Sequence, residues 1–282
     1  MSVRQFAISL NIIRRVENAN RGAALMRHIA WQGRKLLFPR PVSRKLSQSV
    51  ITDDEPGGVI SLVNMLGRYD FNNMHFVQAV LSRAADPVFF DVGANIGAYT
   101  LIASEVERAA VVSFEPIPAA FAKLQRNVRL NGRGRVTLLP VAAGSRAGEL
   151  RMTCDGASPI NRVVTDDAVA DNTMVVAVET LDAVSRRLGL QPTLIKIDVE
   201  GHEPSVLAGA AACLGACDAC LVENGDRASV LALMQQNGMR GPYYYSHRSA
   251  ALRTTPQTLA EDQIFVSERF ATSCPGITVE TP

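Results

Sequence analysis

No stretch of this 282-residue chain is apolar for long enough to cross a bilayer as a helix, which takes about 20 successive residues. The opening residues carry Arg4 and are interrupted by Gln5, Ser9 and Asn11. That is a poor apolar core for an export signal, so a cytoplasmic location is the default expectation. Aromatic residues make up only 6% of the chain, with one tryptophan, which leaves few faces on which nucleic-acid bases would stack. The five cysteines give no disulfide framework for a cytosolic chain. Cys213, Cys217 and Cys220 cluster, but a fourth zinc ligand at suitable spacing is missing and the intervening residues are small and apolar. Buried thiols are the better reading.

An excess of charge is missing too, at +2 overall, yet the balance is uneven along the chain. Residues 1–50 hold ten Lys/Arg against Glu17 alone, which leaves the remainder at −7. Such a basic arm suits peripheral contact with an anionic membrane face or a nucleic acid. A solvated helical lead-in is the plainer reading, and the acidic main part argues against nucleic acid.

What is present is a globular composition, 47% hydrophobic and 20% charged, sufficient for one large domain with an appendage. Helical spacing of Phe6, Leu10, Ile13, Leu25 and Ile29 predicts a basic helical extension over residues 1–50. Residues 51–87 read as a lead-in or cap ending in a helix at 72–83, residues 88–270 as the main domain, and 271–282 as a loose tail. Within the main domain, strands are expected at 88–92, 110–114, 135–140, 174–179, 193–198, 218–223 and 263–267. Helices are expected between them, near 97–107, 117–130, 180–188, 203–214 and 226–237. That rhythm predicts an α/β fold, a doubly wound and mostly parallel sheet of Rossmann-like type, with ligands bound beyond the strands' carboxyl ends.

The run Phe89 to Thr100 is the strongest motif: a buried strand, a glycine turn, then a helix. Gly93, Ala94, Asn95 and Gly97 shape a turn that a ligand can approach without meeting a Cβ, and the helix start offers unpaired N–H donors. A dinucleotide fingerprint would need a glycine where Asn95 stands. Asp91 adds negative charge where a pyrophosphate would sit, so the turn points to a ligand bearing a cation, such as S-adenosylmethionine. Glu115, at the end of the second strand, is placed to accept hydrogen bonds from ribose hydroxyls, as a nicotinamide enzyme would also arrange.

Ile195 to Glu203 is the second motif. Period-two alternation puts Lys196 and Asp198 on one face of a strand, and a lysine in a buried strand needs an anionic partner. The following loop offers Asp198, Glu200 and His202 as groups able to take a hydroxyl proton. Among these His202 has the unperturbed pKa best matched to neutral pH. A purely structural ionic loop is the competing reading. Glu223 completes a row of four acids, with Asp91, Glu115 and Asp198, on one rim.

Asp91-Val-Gly-Ala-Asn-Ile-Gly97, Phe114-Glu-Pro116, Asn127 to Gly132, Thr180-Leu-Asp182 and Ile195-Lys-Ile-Asp-Val-Glu-Gly201 occur in this order. Together they resemble the FkbM family of methyltransferases over roughly residues 60–270. The resemblance implies a class I S-adenosylmethionine-dependent fold and methyl transfer to oxygen, commonly on hydroxyls of glycans, lipopolysaccharides or macrolide-type natural products. On that reading Asp91 faces the methionine end, Glu115 holds the ribose, and Asp198 orients or deprotonates the acceptor hydroxyl, helped by Lys196, Glu200 or His202. No metal is expected, the alternative being Mg²⁺ on Asp198, Glu223 and Asn224. The rival functions are an RNA ribose methyltransferase, a non-catalytic scaffold of the same fold docking a partner or membrane, and a nicotinamide dehydrogenase. Tyr243-Tyr244-Tyr245 reads either as a stacking surface for a sugar or as a loop packed on the core.

Overall fold

The computed structural model describes residues 22, 26–27, 29–30, 42–53, 70–153, 163, 173–223, 227–256 and 262–280. The chain divides into two units, Met1–Phe71 and Asn72–Pro282. In the first, the few described residues between 22 and 30 are helical, but the helical extension does not run through to residue 50. Val42–Leu46 (β1) and Ser49–Asp53 (β2) form an antiparallel hairpin. Ser47 makes the tight turn between them with φ 54°.

The second unit follows the expected rhythm. Its first helix is Phe71–Leu81 (α1). Then come Val88–Val92 (β3), Ala98–Ser104 (α2), Ala110–Phe114 (β4), Pro118–Leu130 (α3) and Val136–Leu139 (β5). A small sheet follows, built from Ala142–Ala143 (β6), Gly148–Thr153 (β7) and Thr173–Glu179 (β8). The chain continues through Leu181–Leu188 (α4), Leu194–Ile197 (β9), Glu203–Ala208 (α5), Ala211–Ala216 (α6), Ala219–Val222 (β10) and Arg227–Gln236 (α7). It closes with Arg240–Ser246 (β11), Ala251–Arg253 (β12), Gln263–Val266 (β13), Phe270–Ser273 (α8) and Thr278–Val279 (β14).

Among the described residues the main sheet runs β14-β12-β11-β13-β10-β9-β3-β4-β5. From β10 to β5 every pairing is parallel, whereas β13 lies antiparallel between β10 and β11. The parallel strands β3, β9 and β10 are buried along their whole length, as strands covered on both faces must be. One face carries Phe90, Val92, Phe114, Ile195 and Ile197 against Leu181, Val184, Val206, Leu207 and Leu214 of α4, α5 and α6. The opposite face of β3 and β9 presents Asp91 and Lys196 toward α2. This is the period-two alternation expected for Lys196.

Other elements also differ from expectation. The helix near 203–214 is two short helices. At the break, a Cβ on Gly209 would stand 2.1 Å from the Gly144 carbonyl oxygen, so close backbone packing fixes the interruption there. The Asp182 carboxylate then accepts the Ala212 and Cys213 N–H groups and caps the second helix. Residues 174–179 lie in β8, the central strand of a separate small sheet, order β6-β8-β7. Tyr243-Tyr244-Tyr245, read as a stacking surface or a packed loop, lies in β11, which pairs with β12 and β13. The tail is ordered over 271–280, where α8 and β14 form and β14 pairs with β12. Cys213, Cys217, Cys220 and Cys274 are free buried thiols, and burial pushes the Cys213 and Cys217 thiols up to about 12.

Candidate functional site

The chain runs from β3 outward to β4 on one side and returns later to β9 on the other. The crevice of a doubly wound sheet opens at such a reversal. Across it, Asp91 lies in register with Lys196 on β9 and with Ser113 on β4. The turn that follows β3 is held almost wholly by main-chain contacts. The Phe114 carbonyl accepts both the Gly93 and Ala94 N–H groups at 3.0 Å, and Gly97 N–H donates to Ala94. Gly93, Asn95 and Gly97 have φ of 80°, 50° and 94°. Glycine takes that region without penalty, and asparagine tolerates it better than most residues. A Cβ on Gly93 would lie 1.8 Å from the Asp198 carbonyl oxygen, and one on Gly97 would lie 2.6 Å from Leu124. The glycine at 93 therefore lets the β3 turn and the β9 turn press directly together.

Two acids serve this turn. Asp91 is fully buried. Its Oδ2 accepts the Thr100 hydroxyl at 2.6 Å, and Thr100 in turn touches Ser113 at 2.8 Å. Asp91 Oδ1 has no partner among the described residues. Burial raises the Asp91 pKa against the opposing pull of Lys196. Glu115 accepts Asn95 N–H on Oε2 and Ile117 N–H on Oε1, both at 2.9 Å. Burial pushes its carboxyl up to about 7 despite those two bonds. Each oxygen keeps a second lone pair for another donor.

The other wall of the crevice is built from charge. Lys196, only 3% exposed, places Nζ 2.8 Å from Asp198 Oδ2 and 4.7 Å from the centre of the Tyr99 ring. Asp198, Glu200 and Glu223 bring carboxylate oxygens within 4.8 Å of one another. Glu200 and Gly201 turn back with φ of 53° and 96°. Glu203 braces that reversal, accepting Gly201 N–H at 3.0 Å and Val199 N–H at 3.4 Å on one oxygen. Burial works to raise the Asp198 pKa, but Lys196 and a hydrogen bond with Glu223 outweigh it and hold the group below the usual range. Burial, together with the Asp198 and Glu200 charges, pushes Glu223 up to about 8. Within the pair, Asp198 favours the ionised form and Glu223 the protonated one.

The structure thus brings Asp91, Gly93, Ala94, Asn95, Gly97 and Glu115 into one turn-and-rim assembly, with Lys196, Asp198 and Glu200 beside it. His202 stands apart from the carboxylate cluster. Its Nε2 would be 3.6 Å from a Cβ on Gly144, beside Ser205, and burial lowers its pKa below 6.5. A hard divalent ion favours oxygen donors such as those of Asp198, Glu200 and Glu223. Asn224, the third residue of the Mg²⁺ alternative, lies outside the described residues, and Lys196 already supplies Asp198 with a positive charge. Sequence reasoning passed over Thr100, Tyr99, Asn127 and Glu203. Asn127, inside the resemblance motif, donates to the Ile96 carbonyl at 2.8 Å and so ties α3 to the glycine turn. Its place on the buried face of α3, at helical spacing from Leu124 and beside Val128, is the signal that was available.

The sequence profile of the methyltransferase FkbM domain matches residues 91–240. Over 141 residues the chain is 32% identical to the hexuronic acid methyltransferase AglP of Haloferax volcanii, covering 49% of this chain and 56% of that one. It is 29% identical over 145 residues to methyltransferase 1 of Beauveria bassiana, covering 44% of this chain and 58% of that one. The chain thus spans little more than half the length of the curated relatives it matches. Among solved structures, a SAM-dependent methyltransferase from Agrobacterium tumefaciens aligns over 80% of this chain and 69% of its own, with a TM-score of 0.47 and 10% identity.

Proposed function

We propose, for a chain that belongs to the FkbM methyltransferase family, S-adenosylmethionine-dependent methyl transfer to oxygen. The acceptor is a sugar hydroxyl in a glycan, a lipopolysaccharide or a glycosylated natural product. The observation that carries this reading is the direct apposition of the Gly93 turn to the backbone of Asp198. It sets a nucleotide-type cradle and an ionised carboxylate side by side at the switch of the sheet. The similarity to a protein named for hexuronic acid supports a sugar acceptor.

The residues present fit the cofactor. The glycine turn is packed against the Asp198 backbone at Gly93, the buried Asp91 keeps an unpartnered oxygen, and Glu115 is fixed by two main-chain donors with lone pairs left for ribose hydroxyls. When bound, S-adenosylmethionine supplies an electrophilic sulfonium methyl. Asp91, being fully buried, acts through its field or through water. Asp198, held ionised by Lys196, accepts the acceptor's hydroxyl hydrogen and orients its lone pair, and such positioning supplies much of the acceleration. Its lowered pKa makes it a weak base, so it takes the proton only once the acceptor oxygen has become strongly acidic. Glu223, hydrogen-bonded to Asp198, restrains its orientation.

Calorimetric titration of the intact protein with S-adenosylmethionine tests the reading. Wild type should bind, and Glu115→Ala should bind at least about tenfold more weakly, the loss of one or two charge-assisted hydrogen bonds. Failure of the intact wild type to bind would sink the proposal.

A further inference from the structure

A second group of polar rings stands on the same rim, apart from the residues above. β11 is antiparallel to β13, which is antiparallel to β10, so the carboxyl ends of β11 and β10 face the same way. Tyr245 and Ser246 end β11, and His247 follows them. The first turns of α1 reach the same place: His75 Nδ1 meets the Tyr245 hydroxyl at 3.1 Å, and His247 Nδ1 meets Asn72 Oδ1 at 2.5 Å. These contacts join segments 170 and 175 residues apart. Two of the chain's four histidines therefore meet at one spot, with ring centroids 6.1 Å apart and planes tilted by 56°.

The rings are arranged in depth. Tyr245 is only 4% exposed, which removes it as a stacking surface for a sugar. His75 lies over it, nearly parallel at 16° with centroids 5.8 Å apart, and both imidazoles are half-buried. The tyrosine is thus the backing and the two imidazoles the outer layer. The Asn72 amide oxygen only accepts, so His247 carries its hydrogen on Nδ1, and its ring orientation is fixed.

We propose that His75 and His247 form a distal acceptor subsite, which takes a second sugar residue of an oligosaccharide whose reacting hydroxyl lies at Asp198. The inference rests on the sugar-acceptor reading above and extends it from a single hydroxyl to a chain of at least two residues. Neighbouring strands lie about 4.8 Å apart, so the end of β11 is roughly 10 Å from β10 and roughly 14 Å from β9. A single pyranose cannot bridge that distance, whereas a disaccharide can. A flat ring offers its face to the C–H face of a pyranose, and imidazole nitrogens exchange hydrogen bonds with hydroxyls. Burial, aided by Arg83, draws His75 below its ordinary 6.5, so that ring favours the neutral form and suits an uncharged polyol face.

The test reads the histidines directly and does not need turnover. The imidazole carbon-bound proton resonances of the full chain are followed by NMR and assigned with His75→Gln and His247→Gln. The protein is titrated with methyl glycosides of glucose, galactose, mannose and glucuronic acid, and with the corresponding disaccharide glycosides. A disaccharide should move the His75 and His247 signals saturably, at concentrations at least tenfold below any monosaccharide. His75→Gln should weaken that response at least fivefold while leaving S-adenosylmethionine binding unchanged. Silence of both histidines toward every glycan, or equal affinity for mono- and disaccharides, would overturn the subsite. Titration of the same sample with S-adenosylmethionine separates the two readings. A protein that binds the cofactor with silent histidines loses only the subsite, and one that binds disaccharide but no cofactor loses the methyl-transfer reading.

Discussion

The two walls of the crevice are built by different physics. The wall after β3 is backbone: Phe114 carbonyl to Gly93 and Ala94, Glu115 to the Asn95 and Ile117 amides, and three residues in the left-handed region. The wall after β9 is side-chain charge: Lys196, Asp198, Glu200 and Glu223 around a reversal braced by Glu203. A backbone wall tolerates changes of side chain but no added atom where two main chains touch. A charged wall tolerates changes of shape but responds to protons. Substitutions should therefore fail in different ways on the two sides.

The sharpest break is Gly93→Ala. Its Cβ would sit 1.8 Å from the Asp198 carbonyl oxygen, a contact with backbone that no rotamer change relieves. Adding the left-handed φ of 80°, the loss should exceed about 4 kcal/mol, beyond the range of ordinary substitutions. Cofactor binding should vanish with it. Gly189→Ala is the control: its φ is also positive, at 66°, but nothing lies within 4 Å of the added carbon, so the cost should stay near 1–2 kcal/mol. Urea denaturation of the two variants measures the contrast. Equal losses would mean that the turns do not press together as described.

The charged wall is tested with protons. The Glu223 carboxyl, pushed up to about 8 by burial and by the charges of Asp198, Glu200 and Glu203, has a folded pKa above its unfolded one. Between about pH 4.5 and about 8 the folded state holds a proton that the unfolded state has released, so stability falls as pH rises through that window. Glu223→Gln is neutral throughout and should lack this slope. Urea midpoints at pH 5, 6.5 and 8 should show wild type losing ground to the variant. Glu115, pushed up to about 7, contributes equally to both proteins and cancels. Parallel midpoints would show that Glu223 is not shielded as the geometry implies.

The same contrast explains what could be read from the sequence. The bounds of β3 and β4 matched expectation because parallel strands buried on both faces are continuous apolar runs closed by local turn signals. The glycine turn was legible because its geometry is local and glycine marks it. The Lys196–Asp198 pair was legible because two residues on one strand face need no knowledge of the rest of the fold. By contrast, no strand was expected at β11 or β12, because their pairing comes from β13 and from the carboxyl-terminal β14. Thr100, Glu203 and Asn127 act through buried hydrogen bonds whose partners only the fold brings near. The His75–Tyr245 contact spans 170 residues, and no local pattern announces it.

The smallest effect should come from His202, the helper of Asp198 whose unperturbed pKa best matches neutral pH. His202 begins α5 beside the charged wall, yet its ring lies toward Gly144 and Ser205, and it makes no side-chain cap on the helix it starts. Burial lowers its pKa, with Glu203 opposing, so it is mostly neutral at pH 7 and lends the carboxylates no positive charge. His202→Gln keeps a polar side chain of similar reach in the same half-buried place. Turnover should change by less than about threefold, within the half kilocalorie or so expected of a side chain outside the reacting set. The pH–rate profile of methyl transfer should keep its shape. A general base contributes about a hundredfold or more, so a loss of that size, with the profile's acid limb removed, would transfer the proton-accepting role from Asp198 to His202. It would also mean that the charged wall extends across the start of α5 to the Gly144 turn.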